Sequence, residues 1–215
     1  MHIVLHVNPS QPHQIEHGQW LAEGFKRQGL KSEITFDQYK QGDIHIVSGP
    51  HYALDMWKGH KTILLDRAYY HEGVSKWKSM DWVSLGWLRP DGGRYFRVGS
   101  GRTSPVPKDP KSEGGTIFLA DYEGPIERAD TVRLHPAKED HKESLVDVLG
   151  RHKRAIGYCT TALATAGLEG LEIICKDKRN IMYEDNWLEL LPYADWRYDE
   201  IMNGDAWEHL REFLD

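Results

Sequence analysis

The sequence predicts an α/β protein made of two domains. Short apolar runs rich in β-branched residues alternate with amphipathic stretches, the pattern of strands that alternate with helices. A segment rich in proline and glycine, residues 99–115, interrupts this alternation, which then restarts. Such a segment continues neither a helix nor a central strand, so it predicts an interdomain linker. The 215 residues suffice for two domains of about 100 residues each.

The first domain is predicted over residues 1–98. Its strands, short and rich in β-branched residues, are predicted at residues 3–7, 32–36, 44–47 and 62–65. Helices are predicted at residues 13–28 and 52–58. In the first of them, Ile15, Leu21 and Phe25 lie at helical spacing, and Gly29 is the stop signal.

The second domain is predicted over residues 116–197, with an acidic helix, residues 198–215, that packs back across the molecule. Its strands are predicted at residues 116–120, 132–134, 155–157 and 171–175, and its helices at residues 139–149 and 161–167. Strands that alternate with helices imply parallel sheets. Two such units on either side of a linker predict two Rossmann-like domains facing a cleft.

Ligands of such sheets bind beyond the carboxyl ends of the strands, so the residues that follow each predicted strand matter most. Nearly all of these residues are small, polar or ionisable. They are 8–10, 48–51, 66–67, 121–124, 135–136 and 158–161. This coincidence predicts a binding site at the strand ends.

A phosphate site is predicted in the second domain. Thr160 or Thr161 would cap the helix that follows, and the N–H groups and positive dipole end of that helix suit a diphosphate. A strand one βα unit earlier in the chain delivers Arg133 and His135 to the same crevice, and they would neutralise a departing phosphate, with His135 as general acid. The alternatives are an ordinary capped helix and a strand-end histidine held by backbone hydrogen bonds.

The order strand, His-Pro, helix, strand, Gly-Tyr-x-Thr-Thr-Ala, helix resembles the nucleotide-sugar half of GT-B glycosyltransferases, especially their sialyltransferase-like branch. The resemblance implies that His135, Thr160 and Thr161 contact the donor phosphates. It also implies that Glu184, in the segment Ile-Met-Tyr-Glu-Asp-Asn-Trp, binds the ribose hydroxyls. A solvated acidic loop is the alternative for Glu184.

The first domain carries the candidate base. Asp66 and Arg67 directly follow a buried strand, and an inverting transferase needs a carboxylate there to take the proton of the acceptor hydroxyl. Asp66 resembles by position the base of phage DNA β-glucosyltransferases, and Arg67 resembles the arginine close behind it. The alternative is that Asp66 pairs with Arg67 or caps a turn. His51, presented by a Gly-Pro turn, is the rival base, and Tyr69 lies on the acceptor side.

Charge and motifs restrict the function further. The net charge is −6, yet residues 1–113 carry +3, so an anionic acceptor such as DNA prefers the first domain. Metal-binding, P-loop, nucleophile-elbow and dinucleotide motifs are absent, so neither a metal nor a tightly bound cofactor is expected. No apolar run approaches the length of a membrane span, and two cysteines are too few for a disulfide framework. A cytoplasmic location is expected, the host cytoplasm for a phage protein.

The sequence therefore predicts a glycosyltransferase with inverting chemistry. A UDP-sugar is the favoured donor, and a hydroxymethyl-pyrimidine in phage DNA is the acceptor that the phage-type resemblance suggests. Two alternatives stay open. One is a catalytically silent module of the same fold that binds a nucleotide or a protein, because fold does not fix function. The other is a transferase that uses a CDP-linked donor.

Overall fold

The computed structural model describes residues 1–48, 54–57, 59–68, 82–122 and 124–214, and of Leu54, Asp55 and Arg67 it describes the backbone alone. The chain is a mixed α/β protein with parallel sheets, which confirms the predicted fold class at this level. It divides into two units. Unit 1 comprises Met1–Arg102 and Tyr193–Asp215, and unit 2 comprises Thr103–Pro192.

The elements are named here in chain order. The strands are β1 (His2–His6), β2 (Lys31–Thr35), β3 (Ile44–Ser48), β4 (Thr62–Arg67), β5 (Trp82–Leu88), β6 (Arg94–Tyr95), β7 (Gly115–Leu119), β8 (Thr131–Arg133), β9 (His152–Gly157), β10 (Glu172–Cys175) and β11 (Asp195–Arg197). The helices are α1 (Pro12–Arg27), α2 (Leu54–Trp57), α3 (Leu145–Leu149), α4 (Ala162–Leu168), α5 (Trp187–Ala194), α6 (Tyr198–Asn203) and α7 (Asp205–Arg211). A short 3₁₀ helix, Ile181–Tyr183, precedes α5.

Within the described residues, unit 1 has a seven-stranded sheet in the order β11-β5-β4-β3-β1-β2, with β6 also paired to β5. Strands β1 to β4 are parallel, and β5 runs antiparallel to β4, β6 and β11. The strand order reverses at β1, because β2 lies on one side of it and β3 on the other. In open α/β sheets, this reversal is where ligands bind.

Helices from both ends of the chain cover one face of this sheet. Helix α1 begins with Pro12 at a position that needs no N–H donor, and Gly29, with a φ of 71°, follows its end. The ring of Phe25 on α1 meets the ring of Trp207 on α7 edge to face, with centroids 5.3 Å apart. Both side chains are buried, and each contributes about 2–3 kcal/mol by leaving water.

Unit 2 is built on a four-stranded sheet in the order β10-β9-β7-β8, in which all described pairs are parallel. Its strand order reverses at β7, because β8 and β9 lie on opposite sides of that strand. Ile117, Phe118 and Leu163 are fully buried and form part of its core. A Cβ on Gly157 would lie 3.0 Å from the Leu119 carbonyl oxygen, so the end of β9 fits tightly against β7.

The predicted linker, residues 99–115, has no regular secondary structure up to Gly114, but much of it packs against unit 2. The N–H groups of Lys108 and Lys111 donate to the carbonyl oxygens of Leu168 and Gly170, at 2.8 and 3.0 Å. Its prolines exclude a helix, as expected, yet two of its backbone donors are paired with the last residue of α4 and with Gly170 just beyond it. Residues 103–114 are therefore an integral part of unit 2.

The division of the C-terminal region also differs from the prediction. The expected helix over residues 198–215 is two helices, α6 and α7, which meet at Gly204 with a φ of 92°. Unit 1 resumes at Tyr193, inside α5, rather than at Tyr198. Strand β11 explains the earlier return, because it pairs with β5 at the edge of the unit 1 sheet.

Other elements differ in length from the prediction or were missed. The helix expected at residues 139–149 is α3, which starts only after Ser144, whose hydroxyl accepts the Asp147 N–H at 3.1 Å. Strand β9 begins at His152, three residues before the predicted start. Strands β5, β6 and β11 and helix α5 were not predicted, and α5 contains Pro192.

Candidate functional site

The residues predicted to bind the donor lie on unit 2, near the carboxyl edge of its sheet. His135 follows β8, and Thr160 and Thr161 follow β9. These two strands are not neighbours, because β7 lies between them. The loop after β7 joins the two sides. Tyr122 meets the ring of His135 edge to face with centroids 5.5 Å apart, while its neighbour Asp121 bonds to the loop after β9.

His135 has a defined orientation at this edge. Its Nδ1 accepts the backbone N–H of Ala137 at 3.2 Å, so the neutral ring carries its proton on Nε2. This is the backbone-held histidine that the sequence left open as an alternative. The same bond also makes Nε2 a donor, which is the polarity that a phosphate oxygen needs. Lys138 adds a positive charge, since its Nζ lies 5.6 Å from the ring centroid of Tyr122.

Arg133 is bonded to the connection that follows β8. Its guanidinium donates to the carbonyl oxygen of Glu143 at 2.9 Å, in the connection that leads to α3. Burial lowers the pKa of Arg133, and the charges of Glu143 and Glu139 oppose this effect. Arg133 is the last residue of β8. That it shares a crevice with His135 stays a prediction.

The two threonines differ in their roles. The Thr160 hydroxyl accepts the N–H of Ala162, the first residue of α4, at 3.3 Å, but Thr160 lies one residue before the N-cap position. Thr161, at the residue before the helix, makes no side-chain cap and is exposed. Thr160 is 9% exposed, and its carbonyl oxygen accepts from Asn180 at 3.0 Å. Of the pair, Thr161 has the more accessible hydroxyl.

Glu184 follows the 3₁₀ helix of unit 2 and is half-buried. Its backbone N–H closes that helix on Ile181 and its carbonyl oxygen accepts from Trp187, both at about 3 Å. The helix itself starts at Asn180, whose Oδ1 accepts the Met182 N–H at 3.0 Å. Glu184 is therefore placed by a chain of local turns that begins at the end of β10.

Asn180 was not predicted from the sequence, and its side chain connects two loops at the carboxyl edge of the unit 2 sheet. The side chain is 1% exposed, and its amide donates to the carbonyl oxygens of Tyr158 and Thr160, at 3.1 and 3.0 Å. It thus ties the loop after β10 to the loop after β9. The signal was present, because the polar run Lys-Asp-Lys-Arg-Asn directly follows the predicted strand 171–175, and the strand-end rule applies there as well.

Two further groups at this edge were also missed. The Asp121 carboxylate accepts the N–H of Cys159 at 2.8 Å, directly at the reversal of strand order. Asp177 forms a bidentate pair with Arg179, and this hydrogen bonding raises the pKa of the guanidinium despite partial burial. Burial raises the pKa of the Cys175 thiol to about 12, so this cysteine stays protonated at neutral pH.

Glu127 fixes the loop after β7 over the ends of β9 and β10. One carboxylate oxygen accepts from the Tyr158 hydroxyl and the other from the Lys176 ammonium group. The bond from Lys176, followed by that from Tyr158, lowers the pKa of Glu127. The same contact raises the pKa of Tyr158. Hydrogen bonds of Asp121 and Glu127 therefore attach the loop after β7 to the residues that follow β9 and β10.

In unit 1, Asp66 is half-buried near the end of β4. It lies two residues beyond Leu64, so it faces the same side of the sheet as Leu64 and its core partner Trp57. His51 and Tyr69 lie outside the described residues, as does the side chain of Arg67. Pairing between Asp66 and Arg67, which the sequence left open, is therefore not tested.

Other polar groups flank Asp66 on the same face. Ser84 lies directly opposite Asp66 on β5, and Asp195 lies opposite Ser84 on β11. The buried guanidinium of Arg94 donates to the carbonyl oxygens of Leu64 and Ser84, at 2.9 and 3.4 Å. Asp195 is 3% exposed and was missed, because β11 was not predicted.

No protein-family model and no curated protein matches this chain. In the described ranges, no helix combines the length and apolar character that crossing a bilayer requires. Across the same residues, no three His, Cys, Asp or Glu side chains are grouped so as to hold a metal ion. Function is therefore inferred from the residues at the two carboxyl edges.

Proposed function

We propose that this chain is a nucleotide-sugar-dependent glycosyltransferase of the GT-B type, with two Rossmann-like domains facing a cleft. The observation that carries the proposal is the strand order, because each unit has a first strand flanked by the second and third. This order creates a ligand position at the carboxyl edge of each sheet. Unit 2 would hold the donor and unit 1 the acceptor.

A UDP-sugar is the favoured donor. His135 offers an Nε2–H donor and Thr161 an exposed hydroxyl, and Lys138 is close by. Hydrogen-bond donors and a cation suit the oxygens of a diphosphate. Glu184, half-buried beyond β10, is the candidate for the ribose hydroxyls. His135 would stabilise the charge that develops on the departing nucleotide.

Asp66 is the proposed base. Its carboxylate would take the proton of the acceptor hydroxyl while the oxygen forms a bond to the anomeric carbon. The bond from that carbon to the nucleotide phosphate breaks on the opposite side, so the configuration inverts. His51 remains the rival base. The proposed acceptor is a hydroxymethyl-pyrimidine in DNA, which the positional resemblance of Asp66 to the base of phage DNA β-glucosyltransferases suggests.

The first test is a thermal-shift screen of UDP-, CDP-, CMP- and GDP-sugars, followed by assays of transfer to hydroxymethylated DNA. D66N is expected to lower kcat at least 100-fold while donor affinity stays within twofold, because the base acts on the acceptor. D205N, at an exposed aspartate on α7, is the matched control and should keep full activity. The absence of a melting shift with every donor would contradict the proposal.

A second candidate is a catalytically silent module that binds a nucleotide or a protein. This candidate is favoured because polar groups near the proposed donor site already have hydrogen-bond partners within the chain. The N–H of Cys159 is bound by Asp121 at 2.8 Å, and the guanidinium of Arg133 by a carbonyl oxygen at 2.9 Å. Donor binding without hydrolysis or transfer, unchanged in D66N, would support this candidate. A CDP-sugar or CDP-alcohol that alone shifts the melting temperature would point to the phosphate-transferase alternative.

A further inference from the structure

A cavity of about 250 Å³ lies at the carboxyl edge of the sheet in unit 1. Its lining includes the ends of β1 and β3, the strands between which the strand order reverses. Ligands of open α/β sheets bind at such reversals. The proposed donor residues all belong to unit 2, whereas every described residue of this cavity belongs to unit 1. The cavity is therefore a separate candidate for ligand binding.

Gln14 has a fixed orientation in the wall of this cavity. Its side chain is 7% exposed, and its Oε1 accepts the backbone N–H of Asn8 at 2.8 Å. A backbone N–H can only face the oxygen of an amide, so the assignment of Oε1 and Nε2 follows from this contact. The NH₂ group is turned the other way, and it has no hydrogen bond to a residue that the structure describes. Gln14 therefore offers the cavity a buried donor.

Asn8, in the same wall, has the same polarity. Its Oδ1 accepts both the N–H and the hydroxyl of Ser10, at 2.9 and 2.8 Å. Its NH₂ group remains available, and the side chain is exposed. With both oxygens engaged, the two amides present donors to a ligand and no acceptors.

The described lining carries no aspartate, glutamate, lysine or arginine. Its one titratable side chain is His6, whose Nδ1 donates to the Asp37 carbonyl oxygen and whose Nε2 faces His45. Burial lowers the pKa of His6, so the ring is neutral at pH 7. Much of the remaining lining is apolar, and it includes Phe36, which is 62% exposed. An anionic ligand would find no cationic side chain in this lining.

We propose that this cavity binds an uncharged planar ring that carries carbonyl oxygens, as a pyrimidine base does. The carbonyl oxygens accept from the amides of Gln14 and Asn8, and the apolar walls contact the ring faces. The volume suits a single ring, since pockets for drug-sized ligands start at about 300 Å³. As a base-binding site the cavity needs no donor sugar. Its role as the acceptor site rests on the proposed function.

The test uses the whole chain, thymidine as the probe and no nucleotide sugar. Q14E keeps the oxygen that accepts the Asn8 N–H and replaces the NH₂ donor by a second oxygen. N8D makes the same change at Asn8. Q19E, at an exposed glutamine of the same helix α1, is the matched control. Binding is measured by saturation-transfer NMR and by titration of tryptophan fluorescence, because Trp57 lines the cavity.

Wild type and Q19E are expected to bind thymidine equally, and Q14E and N8D at least tenfold more weakly. Inorganic phosphate and methyl glucoside should not displace the probe. Should Q14E fail to fold, the binding of thymidine to N8D tests the proposal alone, because Asn8 is exposed and its substitution leaves the core intact. Absence of saturable binding to wild type, undiminished binding to N8D, or displacement by phosphate or the glucoside would overturn the proposal. Thymidine binding without any transfer would count against the proposed function alone.

Discussion

His6 and His45 form a buried pair whose proton positions are set by the backbone. The Asp37 carbonyl oxygen requires a proton on His6 Nδ1, so His6 Nε2 accepts from His45 Nδ1 at 3.1 Å. Burial, followed by the neighbouring charges of His6 and His60, lowers the pKa of His45 to about 4. A second proton on this pair would break the bond between the rings and place a charge in the core.

This pair predicts a loss of stability in mild acid. The unfolded chain binds a proton at His45 near pH 6.5, whereas the folded chain does so only near pH 4. The free energy of unfolding is therefore unaffected by the titration of His45 above pH 6.5. It decreases by up to about 3 kcal/mol as the pH falls towards 4. Urea unfolding measured between pH 7 and 4 gives the slope of the free energy of unfolding against pH.

H45Q should flatten this pH dependence, because the substituted side chain does not titrate. H2Q, at a partly exposed histidine of β1, should retain the wild-type slope. Equal slopes for wild type and H45Q would contradict the prediction.

The residues at the carboxyl edge of unit 2 were only partly predictable from the sequence. The two threonines marked the start of α4 correctly, because hydroxyl residues before a helix are a local signal, although the N-cap residue Thr161 makes no side-chain bond to the helix. The phosphate role of Arg133 stays a prediction, because the bond of its guanidinium to the Glu143 carbonyl oxygen does not test it. Asn180 was missed because its partners, the carbonyl oxygens of Tyr158 and Thr160, are set by the pairing of β9 with β10.

Helices α1 and α6 approach each other closely at Gly24. A Cβ on Gly24 would lie 2.0 Å from the carbonyl oxygen of Ile201, which is backbone and cannot move alone. Glycine is needed here for close approach, although it lowers the helix propensity of α1.

G24A is therefore expected to destabilise the protein by about 3 kcal/mol, because α1 and α6 must separate. G18A is the matched control on the same helix. Its Cβ would lie 3.3 Å from the Val7 Cγ1 atom, a side-chain methyl group, so its effect should stay within about 1 kcal/mol. Urea unfolding of both variants checks this. Equal stabilities of G24A and G18A would show that the two helices do not pack closely.

Among the elements, those with regular periodicity were predicted and those made by pairing were not. Helix α1 and strands β1, β3 and β4 carry their own hydrophobic patterns, so they were found within two residues at their ends. Strand β11 has only three residues, and its pairing with β5 defines it. Helix α5 contains Pro192, which sequence rules treat as a helix breaker.

At the scale of the whole molecule, unit 1 is built from two separate stretches of the chain. Trp87 on β5 donates through its Nε1 to the carbonyl oxygen of Leu210, at 2.9 Å, and Trp207 is 3% exposed in the same core. The sequence predicted that this region packs back across the molecule. It did not reveal that β11 extends the sheet, because strand pairing depends on residues about 110 positions apart.

W207A is expected to lower the free energy of unfolding of unit 1 by about 4 kcal/mol and to leave that of unit 2 unchanged. Hydrogen exchange should accelerate in β1, β3 and β4, while β7, β9 and β10 keep their protection, since the two units are separate contact clusters. W187A, at a tryptophan that packs on Gly167 in unit 2, is the reciprocal control. Uniform acceleration in both units by either variant would mean that they unfold together.

The late position of Tyr193–Asp215 has a consequence for synthesis on the ribosome. Residues 1–102 emerge before residues 103–192, yet their sheet lacks its edge strand β11 and the helices α6 and α7 until residues 195–211 are translated. The contacts of residues 103–192 that define unit 2 lie within that one stretch. Unit 2 is therefore able to fold before unit 1, reversing the usual vectorial order.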